Sequence, residues 1–223
     1  MEDNKLAKRK IFLIPIIILI GLAAVLFLPA GSLHFWQGWL YWCEFSVLTL
    51  FITFYFFKKS PQLLSRRTQY QEKKTTTKPP ALLNLWFLCY LIPGLDFRFH
   101  WSTVPFELVI AANAIVILGY IFIILVFKEN SYASTVIQVE KGQPVITTGP
   151  YAIIRHPMYL GLILMILFTP MALGSYWAII PALLSVPMNI LRIIGEEEIL
   201  ERDLAGYKKY CLNTRYRLIP FIW

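Results

Sequence analysis

Three runs of the chain, Ile11 to Pro29, His34 to Phe57 and Pro105 to Phe127, hold almost no charge and are each long enough to cross a bilayer. A helix needs about 20 apolar residues to traverse the hydrocarbon core. With 57% hydrophobic and 15% charged residues in 223, the length counts spans rather than soluble domains.

Two further regions are apolar but broken. Ala81 to Phe97 is shorter and ends in Leu95-Asp96-Phe97-Arg98, which makes it a weaker span. Tyr159 to Leu191 is interrupted by Pro170, Gly174, Ser175, Pro181 and Pro187, and reads as two short helices folded back at Leu173-Gly174-Ser175-Tyr176. The expectation is an all-α integral membrane protein of about five membrane segments, the last a Pro-rich helical hairpin. A cytoplasmic cofactor loop and a C-terminal interfacial helix complete it. Lys5, Lys8, Arg9 and Lys10 before the first run resemble the start of a signal peptide, but that run exceeds the usual ~7–15-residue apolar core and no clean cleavage site follows, so a retained span is expected.

The formal net charge of +8 invites a nucleic-acid reading, and the positions of the charges argue against it. With the N-terminus in the cytoplasm and the spans alternating, 20 of the 21 Lys and Arg fall on the cytoplasmic side, leaving Arg98 outside. The positive-inside rule accounts for that asymmetry, so the bilayer is the expected partner and nucleic acid is not. Both termini are then cytoplasmic. Cys43, Cys89 and Cys211 show neither a disulfide framework nor metal-ligand spacing.

Residues 1–127 read as a transmembrane scaffold of four spans. Trp36, Trp39, Tyr41 and Trp42 crowd one end of the second span as an aromatic belt. Glu44 is read as a structural partner for a neighbouring helix, and Lys58 to Pro80 as an exposed basic loop near anionic headgroups. Residues 128–223 differ in character. Glu129 to Tyr159 is too polar for a span and too short for a domain, and loops of that length are usually functional. Turns at Gly149-Pro150 and His156-Pro157 shape its backbone.

Two polar clusters bracket the hairpin. Gly149-Pro150-Tyr151 and Arg155-His156-Pro157-Met158-Tyr159-Leu160-Gly161 open it, and Arg192-Ile193-Ile194-Gly195-Glu196-Glu197-Glu198 closes it. Arg192 and Glu196, four apart, share one helix face. Folding the hairpin brings His156 and Tyr159 toward that pair, forming a cofactor-sized pocket at the mouth of a hydrophobic bundle. Taken singly, each cluster also fits a bland role, as an interfacial anchor or a surface ion pair. The tail from Leu204 to Trp223 is amphipathic and is expected to lie along the interface.

In order, Gly-Pro-Tyr, Arg-His-Pro-x-Tyr-x-Gly, Arg-Ile-x-x-Glu-Glu, Gly-Tyr-x-x-Tyr and Tyr-Arg-Leu-Ile-Pro resemble the isoprenylcysteine carboxyl methyltransferase family and its phospholipid-methylating relatives, over Glu129 to Trp223. The resemblance implies S-adenosylmethionine as cofactor. It implies cofactor contacts from Gln143, Val145, Ile146, Tyr151, His156, Pro157, Met158, Tyr159 and Glu196, with Gln138 a further candidate. Arg192 would face the methyl acceptor, and Arg192 and Glu196 would be the catalytic pair. Many members carry His where this chain has Gln143. Asp203-Leu204 replaces the usual Phe-Gly, which keeps Glu197 open as the alternative to Glu196.

The activity so implied is methyl transfer to a lipidic or amphiphilic acceptor, such as a prenylcysteine-type carboxylate. Membrane sterol reductases share a similar C-terminal architecture but bind NADPH, whose phosphate calls for clustered Arg and Lys. The triple glutamate and Arg-His-Pro-x-Tyr favour the methyl donor. A non-enzymatic membrane scaffold would leave the polar mouth unexplained.

Overall fold

The computed structural model describes residues 2–68, 80–134 and 137–223. Of the expected basic loop from Lys58 to Pro80, residues 69–79 lie outside the described residues. The elements are α1 (Glu2–Ala30), α2 (Trp36–Lys59), α3 (Pro61–Thr68), α4 (Pro80–Phe99), α5 (Phe106–Glu129), a 3-10 turn at Gly149–Ala152, α6 (Pro157–Ala172), α7 (Ile179–Asp203) and α8 (Tyr207–Asn213). No strand occurs among the described residues.

Residues Arg9–Ala30 of α1, together with α2, α5 and α7, are long and apolar enough to cross a membrane, and α6 is a shorter apolar helix. Their outward faces carry bare aliphatic side chains: Ile20 is 65% exposed, Val47 66% and Leu118 61%. Contiguous apolar surface of this kind is sustained by lipid rather than water. The chain is a multi-pass, all-α membrane protein.

The bundle has two distinct ends. At one, the close of α4, its connection to α5 and the α6–α7 turn meet at Asp96. This buried carboxylate accepts hydrogen bonds from the Ser102 backbone N–H (2.7 Å), the Ser102 hydroxyl (2.6 Å) and the Ser175 hydroxyl. At the other end lie α3, the loop after α5 and everything from the last turns of α7 onward. Between the two ends, α5 packs tightly across α6. There Gly119 faces Gly161, and a Cβ on either would stand 3.2 Å from the other's carbonyl oxygen. Small residues permit such a backbone approach.

The expected reversal at Leu173-Gly174-Ser175-Tyr176 is present, closed by Leu173 N–H to Thr169 O (2.9 Å) and Ser175 N–H to Pro170 O (2.9 Å). One of the two arms departs from the expectation of short helices. α6 has 16 residues, whereas α7 has 25 and continues past Leu191 to Asp203. Pro181 sits in the first turn of α7, where its missing N–H removes no helical bond. The Glu-rich stretch beyond Leu191 favours helix and carries the element out of the apolar layer. α7 is thus apolar along its first half and presents polar side chains along its second.

Candidate functional site

The mouth of α6 is built by three constraints. Glu129, at the end of α5, accepts a hydrogen bond from the Thr148 hydroxyl (2.6 Å). Gly149 then turns beside it at φ +57°, and a Cβ there would meet Glu129 Cγ at 2.5 Å. Only glycine suits both the conformation and the space. Pro157 opens α6 at a position where proline is favoured, directly after His156. The third constraint comes from far along the chain: Arg155 N–H donates to Tyr216 O and His156 N–H to Arg217 O, both at 2.9 Å. Ile154 and Tyr216 form an isolated parallel bridge. The C-terminal segment therefore straps the Arg-His-Pro turn in place.

A cavity opens beside this turn. The loop after α5 contributes Gln138, Gln143, Val145 and Ile146 to its wall. Tyr151 and the run His156, Pro157, Met158 and Tyr159 form a second side, and Arg192 and Glu196 of α7 a third. Every residue that the sequence resemblance assigned to cofactor or acceptor thus borders one space.

Arg192 and Glu196 are joined through Tyr159. The Arg192 Nε donates to the Tyr159 hydroxyl at 2.9 Å, and that hydroxyl donates to Glu196 Oε2 at 2.6 Å. A phenol placed between a cation and an anion on consecutive turns of α7 fixes both side chains toward the cavity.

Glu197 has a different setting. It is 4% exposed and does not line the cavity. Its carboxylate lies 3.0 Å from Arg155 Nε, 3.3 Å from His156 Nε2 and 2.6 Å from Arg217 Nε. The Arg155 contact is an ion pair without hydrogen-bond alignment. Burial alone would raise the Glu197 carboxyl; hydrogen bonds from His156 and Arg217 and the charge of Arg155 outweigh it and hold the group below the usual carboxylate value. Glu197 ties α7, the α6 mouth and the C-terminal segment together.

Tyr151, Tyr207 and Tyr210 add to the polar lining. Asn130 Nδ2 donates to the Tyr151 hydroxyl (2.9 Å), and the Tyr210 hydroxyl donates to the Tyr151 carbonyl (2.7 Å). Burial pushes Tyr210 up to about 12 and raises Tyr151 and Tyr207 as well, so all three stay protonated at neutral pH. The Tyr207 hydroxyl is buried and has no partner among the described residues. It borders the cavity and is a donor available to a bound molecule.

Tyr207 and Tyr210 were not foreseen as lining residues. The tail was expected to spread its tyrosines along an interface, but α8 turns both inward, at 4% and 5% exposure, behind Leu200 and Leu204. Their three-residue spacing, which places both on one face of a helix, was the available signal. Leu212, Ile219, Phe221 and Ile222 are the tail's outward apolar side chains. Asn130, Tyr132 and Arg155 also border the cavity without having been anticipated.

The described residues form a helical membrane bundle with a tyrosine-rich polar cavity at the mouth of a helical hairpin. Residues 108–205 match the family model for phospholipid methyltransferases, the family that includes isoprenylcysteine carboxyl methyltransferases. The match runs from the first turn of α5 to just beyond α7, which covers most of the cavity but not α8 or the strap. Among curated proteins the comparison finds no match.

Proposed function

We propose that the chain transfers the methyl group of S-adenosylmethionine to a lipidic or amphiphilic acceptor that reaches the cavity from the bilayer. The observation that carries this reading is the convergence of Gln143, Tyr151, His156, Tyr159 and Glu196 on one space, with Arg192 beside them at the end of a membrane span. Residues 128–223 serve as the catalytic region and 1–127 as its scaffold. The end bearing the site faces the cytoplasm, since the topology expected from the sequence puts 20 of 21 basic residues on the cytoplasmic side.

The lining suits the cofactor chemically. Glu196 offers a carboxylate for its ammonium group, and the Tyr207 hydroxyl and the Gln143 carboxamide offer hydrogen bonds. The faces of Tyr151 and Tyr159 are suited to a sulfonium or an adenine ring. The bound cofactor supplies a methyl group activated by positive sulfur. Arg192, held by Tyr159, orients the acceptor, for which a prenylcysteine-type carboxylate would match a guanidinium in shape and charge. Alignment and exclusion of water then contribute much of the rate.

The NADPH alternative is less well served. Arg155 is paired with Glu197 and Arg192 is bonded to Tyr159, so the lining offers no cluster of basic groups to a 2′-phosphate. The test is transfer of a labelled methyl group from S-adenosylmethionine in proteoliposomes presenting phospholipid amines or prenylcysteines. Lipid-extractable label that disappears in Glu196→Ala supports the proposal; absence of transfer to every lipidic acceptor counts against it.

A further inference from the structure

The cavity wall formed by residues 137–146 has no helix or strand of its own. A polar loop of this kind cannot hold Gln143 against a ligand unless something outside it fixes its shape. Arg66 of α3 does so. Its Nε and Nη2 donate to the two carboxylate oxygens of Glu140 at 2.6 and 2.8 Å, and its Nη1 donates to the Ser131 carbonyl at 2.8 Å. Its guanidinium carbon also lies 4.4 Å from the centre of the Tyr132 ring. A single planar cation thereby clamps both arms of the loop.

The clamp reaches the cavity in one further step. The Glu140 backbone N–H donates to Gln143 Oε1 at 3.0 Å. This bond engages the carboxamide oxygen and leaves the Gln143 amide N–H groups as its free donors. The Arg66–Glu140 pair is bidentate, and the two side chains are 17% and 36% exposed. It therefore differs from the Arg202–Asp203 pair, whose members are 71% and 41% exposed and lie next to each other in sequence. Exposed pairs of that second kind contribute little.

We propose that Arg66, in the half of the chain read as scaffold, is a positioning residue for the cofactor pocket: through Glu140 it sets the loop conformation in which Gln143 meets the cofactor. The identity of the ligand rests on the methyl-transfer reading above; the clamp itself does not. Because the clamp shapes binding rather than the reacting atoms, its loss weakens cofactor affinity and spares turnover at saturation.

The experiment uses the full chain in nanodiscs and compares wild type, Arg66→Ala, Glu140→Ala, the double variant, Arg66→Lys and Arg202→Ala. S-adenosylhomocysteine affinity is read by calorimetry, KM and kcat by labelled transfer, and backbone protection of residues 137–146 by hydrogen exchange. Arg66→Ala should bind about tenfold more weakly, as expected for losing a bidentate charged contact, with KM for S-adenosylmethionine rising in step and kcat nearly unchanged. The double variant should be no worse than Arg66→Ala, Arg66→Lys should fall between, and Arg202→Ala should match wild type. Exchange in 137–146 should accelerate in Arg66→Ala with or without ligand.

Wild-type affinity together with wild-type exchange in Arg66→Ala would overturn the proposal, as would a fall in kcat at unchanged KM. If the wild-type protein binds no S-adenosylhomocysteine, the methyl-transfer reading fails, and exchange alone decides the clamp: acceleration upholds it and unchanged protection overturns it.

Discussion

Glu196 and Glu197 are consecutive on α7 and point to opposite duties. The first lines the cavity with its carboxylate 2.6 Å from the Tyr159 hydroxyl, while the second is buried against Arg155, His156 and Arg217. A one-residue step on a helix turns a side chain by about 100°. The two substitutions should therefore separate binding from stability.

Glu196→Gln keeps the size of the side chain and removes its charge. Affinity for S-adenosylhomocysteine should fall by about 1.5–3 kcal/mol, the usual contribution of a charged hydrogen bond, with the melting temperature nearly unchanged. Calorimetry alongside a thermal melt in detergent measures both.

Glu197→Gln should instead destabilise the fold by about 2–3 kcal/mol. This is below the ~3–5 kcal/mol of a fully buried broken pair, because the Arg217 side chain is 37% exposed. The same group gives the protein an acid limb. Its carboxyl is depressed in the folded state, so the stability it contributes is complete above the ordinary value of 4.5 and is lost as pH falls through the depressed value. Melts recorded from pH 7 downward should show this loss in the wild type and a smaller one in Glu197→Gln.

Tyr159→Phe removes only the hydroxyl that connects Arg192 to Glu196. The packing of a ring that is 3% exposed is retained, so the protein should fold normally. Turnover should drop about tenfold from the loss of two bonds to charged groups. Single-turnover assays and a melt of the same preparation would check the pair of outcomes.

At the opposite end of the bundle, Asp96→Ala should lower stability by about 1–3 kcal/mol through the stranded hydroxyls of Ser102 and Ser175. Cofactor affinity should not change. A melt paired with ligand titration distinguishes this variant from those at the cavity.

The apolar runs made the spans legible in the sequence because bilayer thickness dictates helix length, and the reversal at Gly174 was visible in its turn residues. The length of α7 was not, since prolines at 181 and 187 read as breaks when one sits harmlessly in a first turn. The site's two clusters could be placed together because they bracket one hairpin. Contacts of long sequence separation stayed hidden. The strap from Tyr216 and Arg217 onto Arg155 and His156, and the clamp from Arg66 onto Glu140, join residues 61 to 74 positions apart in chains of polar groups that carry no periodic signal. The inward turn of Tyr207 and Tyr210 was obscured for another reason: tyrosines beside lysines in a membrane protein fit an interfacial belt equally well.

The most direct test of methyl transfer from S-adenosylmethionine is calorimetric titration of the detergent-purified protein with S-adenosylhomocysteine and, separately, with NADPH. Saturable binding of S-adenosylhomocysteine at one site, weakened by Glu196→Ala, and no binding of NADPH are expected. Binding of NADPH without S-adenosylhomocysteine would contradict the methyl-transfer reading.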